Sequence, residues 1–268
     1  MLKRSMVIAR KEMSEAFRSK VIKYSFVGMG LMFGLVLPLL YGSIAVLIGT
    51  SPSSGTGTSS LPVPPDFFPG FTSGQRAYLF FLYAFIAEIL LMLPVILPIY
   101  ISADSFAGEK ERKTIQQLLS TPLTDSEILL GKILTSFIPT IITTYLCILS
   151  TTIVVNLSWY YAYGAFQLIF PNITALIQLV LLYPLLAFFG IITMVWVSTR
   201  ASKVMEATQL GGVVVVPVLV VAFLPILLGL LTSIYFVLTV AALFAVLDYG
   251  LFKVASRKFT REAILRRI

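Results

Sequence analysis

The most constraining feature is the run from Gln209 to Phe252, more than forty residues in which Asp248 is the only charged side chain. A membrane-spanning helix takes about 20 mostly apolar residues, so this run holds two spans with a turn between them. The turn is expected at Gly229–Ser233, just past Pro225. The alternative is a re-entrant element over 225–233, which would require protein to cover its backbone. Four more apolar stretches precede it: Tyr24–Ile48, Tyr78–Ile101, Ile133–Leu157 and Asn172–Val197. With 209–229 and 232–252 they make an all-α polytopic membrane protein of six transmembrane helices, one transmembrane domain over 1–268. Composition agrees: 58% of residues are hydrophobic and 12% charged, against about 45–50% and about 25% in soluble domains. Lipid must solvate the excess apolar surface. The first span lacks a small-residue cleavage site and reads as a retained anchor, not a signal peptide.

Lysine and arginine orient the spans. Residues 1–23, the 102–132 segment, the 198–208 loop and the tail from 253 hold all of them except Arg76. Basic residues accumulate in cytoplasmic loops, so both termini are expected in the cytoplasm of a multi-pass plasma-membrane protein. The net charge of +8 is then a topology signal, and no nucleic-acid partner is inferred from it. The chain contains no histidine and one cysteine, Cys147. That excludes His-based acid–base catalysis, HExxH zinc sites and intrachain disulfides. No metal site is expected, and Cys147, inside an apolar run, reads as a packing residue.

The segments between spans differ in character. Residues 2–20 carry Leu2, Met6, Ala9, Met13 and Phe17 at helical spacing, an apolar stripe with basic residues on other faces. A basic amphipathic helix of this kind lies along a membrane interface. The outer loop, residues 49–77, contains a Ser/Gly/Thr-rich stretch over 51–60 and then Pro62, Pro64, Pro65 and Pro69, and is expected to be flexible. Asn156 and Asn172 stand in N-x-S/T sequons close to span ends.

The segment between the second and third stretches is the most informative. Glu109-Lys110-Glu111-Arg112-Lys113 precedes Ile115, Leu118 and Leu119, which share a helical face. Pro122 ends that helix. Thr124-Asp125-Ser126-Glu127 then forms a capping box with Leu123 and Ile128 placed as its hydrophobic staple. A short surface helix, a turn and a firmly capped third span are expected.

This segment carries a resemblance. Ala107-Gly108-Glu109-Lys110-Glu111-Arg112-x-Thr114, Leu118-Leu119-Ser120-Thr121-Pro122-Leu123, Glu127-Ile128-Leu129 and Gly131-Lys132 resemble the inner loop of ABC-2 type transporter permeases. Arg10-Lys11-Glu12 and Arg18-Ser19-Lys20 resemble that family's N-terminal helix. Glu206-Ala207, Gln209 and Phe259-x-Arg261-Glu262-x-Ile264-Leu265 resemble its NatB-like sodium-export branch. The outer loop and the short connection after the fifth span depart from the pattern.

The resemblance implies a half-transporter that pairs with a second permease copy or a homologous permease, each half carrying a cytosolic ABC ATPase. It implies a coupling helix bearing Glu109, Lys110, Glu111, Arg112, Thr114, Leu118 and Leu119. No GxxxxGK[ST] phosphate loop is present, so the chain itself is expected to take no cofactor, with ATP and Mg on the partner ATPase. The expected function is a non-enzymatic exporter subunit working by alternating access. A stand-alone ion channel or ion-driven carrier is the alternative, and an intramembrane enzyme a third reading that the residue inventory disfavours.

Individual residues sharpen these expectations. Glu88 lies in the middle of the second span, where an ionisable group is costly and marks a transport path or gate. Asp248 lies near the inner end of the sixth span, where it is expected to reach the interface or pair with Lys253. Gly30 and Gly34 form a GxxxG suited to close helix packing. Pro94, Pro98, Pro139, Pro184 and Pro217 lie inside spans and are expected to kink them.

Overall fold

The computed structural model describes residues 2–49, 68–108, 111, 124–164, 166–198, 201 and 203–258. Every regular element among them is helical. Six helices are long and apolar enough to cross a membrane: Lys20–Ile44, Ser73–Gly108, Ser126–Tyr163, Ile173–Ser198, Val204–Leu228 and Ile234–Ala255, spans 1 to 6 below. A separate N-terminal helix, Leu2–Ala16, precedes them. The low-complexity stretch 51–60, the staple residue Leu123 and the tail from 259 lie outside the described residues.

Spans 2 and 3 start before their apolar stretches because caps, not hydropathy, begin them. Span 2 begins at a capping box: Thr72 Oγ1 accepts from Gln75 N, and Thr72 N donates to Gln75 Oε1 at 3.0 Å. The helix containing span 3 begins at the expected box, with Glu127 N donating to Thr124 Oγ1 at 3.3 Å and Thr124 N donating to Glu127 Oε2 at 3.1 Å. It runs through Asp125–Tyr163, 39 residues, or about 58 Å at 1.5 Å per residue. A bilayer core is about 30 Å thick, so this helix projects well beyond it. Asn172 caps span 4, its Oδ1 accepting from Ala175 N at 2.8 Å. Asn156 Nδ2 donates to Thr152 O, and Asn156 Oδ1 accepts from Ile169 N at 2.7 Å. Both sequon asparagines therefore serve the loop between spans 3 and 4.

Span 5 ends at Gly229, whose φ of 69° closes the helix in the left-handed region. Leu230 N then donates to Pro225 O at 2.8 Å. The next helix starts at Ile234, so the connection is a tight turn and not a re-entrant element.

Span 2 sits at the centre, packed by spans 1, 3, 4 and 5, and most of it is buried. At the end away from the termini, aromatic side chains lock the bundle. Trp159 and Tyr163 rings lie 4.4 Å apart and Tyr78 packs edge-on to Trp159. Tyr78 Oη donates to Val155 O at 3.0 Å, and Tyr83 Oη to Ile169 O at 2.6 Å. Such amphipathic rings suit a membrane–water boundary.

Four wide π-turns interrupt the described helices, at Met32–Val36, Leu82–Ile86, Asp104–Gly108 and Gln178–Leu182. Two of them directly precede Pro38 and Pro184. A proline frees the carbonyl four residues back, and a π-turn re-pairs it by shifting the bonding register. Span 2 also breaks at Leu91–Met92, placing Pro94 in the first turn of the segment that follows. Pro98, Pro139 and Pro217, by contrast, lie inside continuous helices.

The N-terminal helix departs from the expected stripe. Its buried face is Ser5, Ile8, Ala9 and Ala16, whereas Met6 is half exposed and Met13 and Phe17 are partly buried. This face packs against the start of span 3, where Gly131 has no side chain and leaves room for Ile8 and the Ser5 backbone. A Cβ added there would stand 2.9 Å from Ile8 Cβ and 3.2 Å from Ser5 O.

Candidate functional site at the basic end of the bundle

The end of span 2, the start of span 3, the start of span 5 and the N-terminal helix meet at one end of the bundle, around the roots of the 109–123 segment. Span 2 finishes in the π-turn Asp104–Gly108, which buries Phe106, Ala107 and Gly108. Gly108 permits the closeness: a Cβ would lie 2.9 Å from Asp104 Oδ1 and 3.4 Å from Val204 Cγ2.

Lys132 is the centre of this junction. It sits on the second turn of its helix, 1% exposed. Its Nζ donates to Ser105 O at 2.6 Å and to Ser105 Oγ at 3.2 Å, and stands 3.3 Å from Glu12 Oε1. Ser105 Oγ donates to Glu12 Oε2 at 2.8 Å. The ammonium also lies 5.1 Å from the centre of the Phe106 ring, within cation–π range. A buried charge is tolerated only when paired and hydrogen-bonded, and here each group meets that condition through the other two. One lysine thereby fastens three elements, the N-terminal helix, the end of span 2 and the start of span 3.

In the sequence Lys132 stands out only through the basic 102–132 segment and the family resemblance, and nothing local marks Glu12 or Ser105 as its partners. The available signal was a lysine on an otherwise apolar helix, which demands an acidic partner elsewhere in the chain.

Of the expected coupling residues, Glu111 is described. It is exposed, and its Oε2 accepts from Val204 N at 3.0 Å. A carboxylate there satisfies a free amide at a helix start and complements the helix dipole. Glu111 thus ties the loop after span 2 to the start of span 5. Glu109, Lys110, Arg112, Thr114, Leu118 and Leu119 lie outside the described residues.

The remaining candidates lie deeper. Glu88 is 4% exposed, in the short helical stretch between a π-turn and the break of span 2. Gly34 meets Cys147 of span 3, where an added Cβ would lie 3.1 Å from Cys147 Cα, while a Cβ on Gly30 would lie 3.8 Å from Thr143 Cγ2. The GxxxG contact is therefore inside the chain, and Cys147 is a buried packing partner. Gly42, two turns further along, is pressed against Ser158 and extends the same seam. Asp248 is 3% exposed, and neither carboxylate oxygen has a hydrogen-bond partner. Lys253 is five residues on, and a helix turns such positions well apart.

A search of curated proteins returned no match. The family model of ABC-2 family transporter proteins matches residues 6–242, which takes in most of the N-terminal helix, the Glu12–Ser105–Lys132 junction and five complete spans. This multi-pass membrane protein belongs to the ABC-2 family of transporter proteins.

Proposed function

We propose that the chain is the membrane-spanning permease subunit of an ATP-binding-cassette exporter. In this reading the basic end faces the cytoplasm of a plasma-membrane transporter, and a separate cytosolic ATPase, which binds ATP and Mg, docks there. The whole chain acts as one transmembrane domain and pairs with a second copy or a homologous permease. Residues 109–119 form the coupling helix, with Leu118 or Leu119 as its apolar anchor, because interface energy concentrates in a few such residues. The NatB-like branch belongs to the same proposal and rests on Glu206, Ala207 and Gln209.

The observation that carries this reading is the Lys132 junction. The 109–123 segment hangs between Gly108 and Thr124, and Lys132 with Ser105 and Glu12 fixes both of its roots to one another and to the N-terminal helix. A partner pushing on the segment would move spans 2 and 3 together instead of unravelling either one. Glu111 extends the same connection to span 5.

The test is co-purification in mild detergent with the candidate ATPase, comparing Glu109→Lys/Glu111→Lys with a control reversal at Arg266 and Arg267. The loop variant is expected to lose ATPase association or coupled transport while the six spans persist. Full binding and full coupling in the loop variant would sink the coupling-helix assignment and favour a channel or ion-driven carrier.

A further inference from the structure

A groove of about 410 Å³ opens on the bundle between spans 3, 4 and 6. Its walls include Phe137 of span 3, Pro184 and Phe188 of span 4, and Asp248, Tyr249 and Phe252 of span 6. Ligand pockets run from about 300 to 1,000 Å³, so the groove is of small-molecule size. The Phe188 and Phe252 rings pack together in its wall, with centroids 6.1 Å apart.

Asp248 is the charged residue of this apolar wall. It is 3% exposed, and both of its oxygens lack a partner. A buried carboxylate left this way is costly unless something pairs with it. The surrounding rings offer negative π faces that attract a cation, and the same side chains offer apolar area for a hydrophobic body. A carboxylate among aromatic rings is complementary to an organic cation on an apolar frame. Asp248 lies five residues before Lys253, about 7.5 Å along the helix. That places the site at the depth of the lipid leaflet on the basic side, where amphiphilic cations partition.

We propose that the groove between spans 3, 4 and 6 binds an amphiphilic organic cation of drug size, its charge paired with Asp248 and its apolar body held on Phe137, Phe188 and Phe252. Binding at this site stands on the groove itself. That the bound cation is cargo rests on the permease reading above.

The experiment measures equilibrium binding of tetraphenylphosphonium to the full chain in phosphatidylcholine nanodiscs, with triphenylphosphine oxide as the neutral counterpart. No ATPase is needed, so failure here and failure of the permease reading are separate results. The wild type is expected to bind the cation at least tenfold more tightly than the neutral probe. Asp248→Asn is expected to abolish that preference and Asp248→Glu to restore part of it. In the unaltered protein, a photoreactive aryl ammonium is expected to label peptides containing Phe188 or Phe252, which keeps the test open if Asp248→Asn fails to fold. Equal binding of the two probes, an unchanged Asp248→Asn, or labelling elsewhere would overturn the proposal. Loss of probe binding when phosphatidylethanolamine replaces part of the lipid would assign the groove to a lipid ammonium instead. Self-crosslinking of Ala245→Cys between two copies would assign it to a subunit contact.

Discussion

Lys132 Nζ stands 3.3 Å from Glu12 Oε1, joining residues 120 positions apart in the chain. The pair is buried, with side-chain exposures of 1% and 12%, and Ser105 closes it into a triangle. Breaking a buried pair from one side leaves an uncompensated charge and costs about 3–5 kcal/mol, whereas replacing both partners by apolar residues is often close to neutral. Glu12→Leu and Lys132→Met are each expected to lower the unfolding midpoint in detergent, and the double variant to recover much of the loss. Strictly additive losses in that cycle would show that the two charges do not act as a pair.

Gly131 sets how closely the N-terminal helix can approach. Gly131→Val places carbon atoms where Ile8 and Ser5 already stand, so the helix must lift. Protease cleavage within 2–16 is expected to accelerate, while Gly212→Ala, which meets nothing within 4 Å, should leave the cleavage rate unchanged. Equal protection in Gly131→Val would remove the close-packing argument.

Both positions show what the sequence could and could not disclose. The six spans were legible because each needs only local apolar length, and the Thr124–Glu127 box because its partners are three residues apart. The second box, Thr72 with Gln75, was equally local but lay at the edge of a Pro-rich loop and passed unread. The orientation of the N-terminal helix was misjudged because its stripe was drawn through large side chains. The buried face uses Ser5, Ile8, Ala9 and Ala16, and Gly131, without a side chain, makes room for Ile8 and the Ser5 backbone. The Glu12–Lys132 pairing had no local signature at all. The sequence places Asp248 near Lys253 or the interface, and the structure leaves both its carboxylate oxygens without a hydrogen bond.

Glu111 is expected to steady the first turn of span 5. Glu111→Ala removes the acceptor from Val204 N, and loss of a side-chain cap typically costs about 1 kcal/mol. Amide exchange at Val204 should rise several-fold, whereas Glu111→Gln, which keeps an acceptor oxygen, should exchange more like the wild type. Unchanged exchange in Glu111→Ala would confine the residue to the surface.

Glu88→Gln keeps the shape of the side chain and removes its ability to ionise. Transport or substrate-stimulated ATPase activity of the assembled transporter is expected to change, with complex assembly intact. Wild-type activity across substrates and pH would make Glu88 a packing residue.

Topology is checked with cysteines placed on either side. A label at 53–60 is expected to react with an impermeant reagent from outside intact cells, and one at 255–260 only after the membrane is opened. Reaction of both from one face would overturn the orientation.

The connection between spans 5 and 6 has little slack. Five residues separate Leu228 from Ile234, and Thr174 Oγ1 donates to Thr232 O at 2.9 Å, tying the top of span 4 to the same corner. Spans 4, 5 and 6 are thus gathered at one tip like the legs of a tripod. Whatever spreading they undergo must be widest at their far feet, and Asp248 stands near those feet. A small swing about the corner would widen or pinch the groove beside that carboxylate while leaving the aromatic lock at the other end undisturbed.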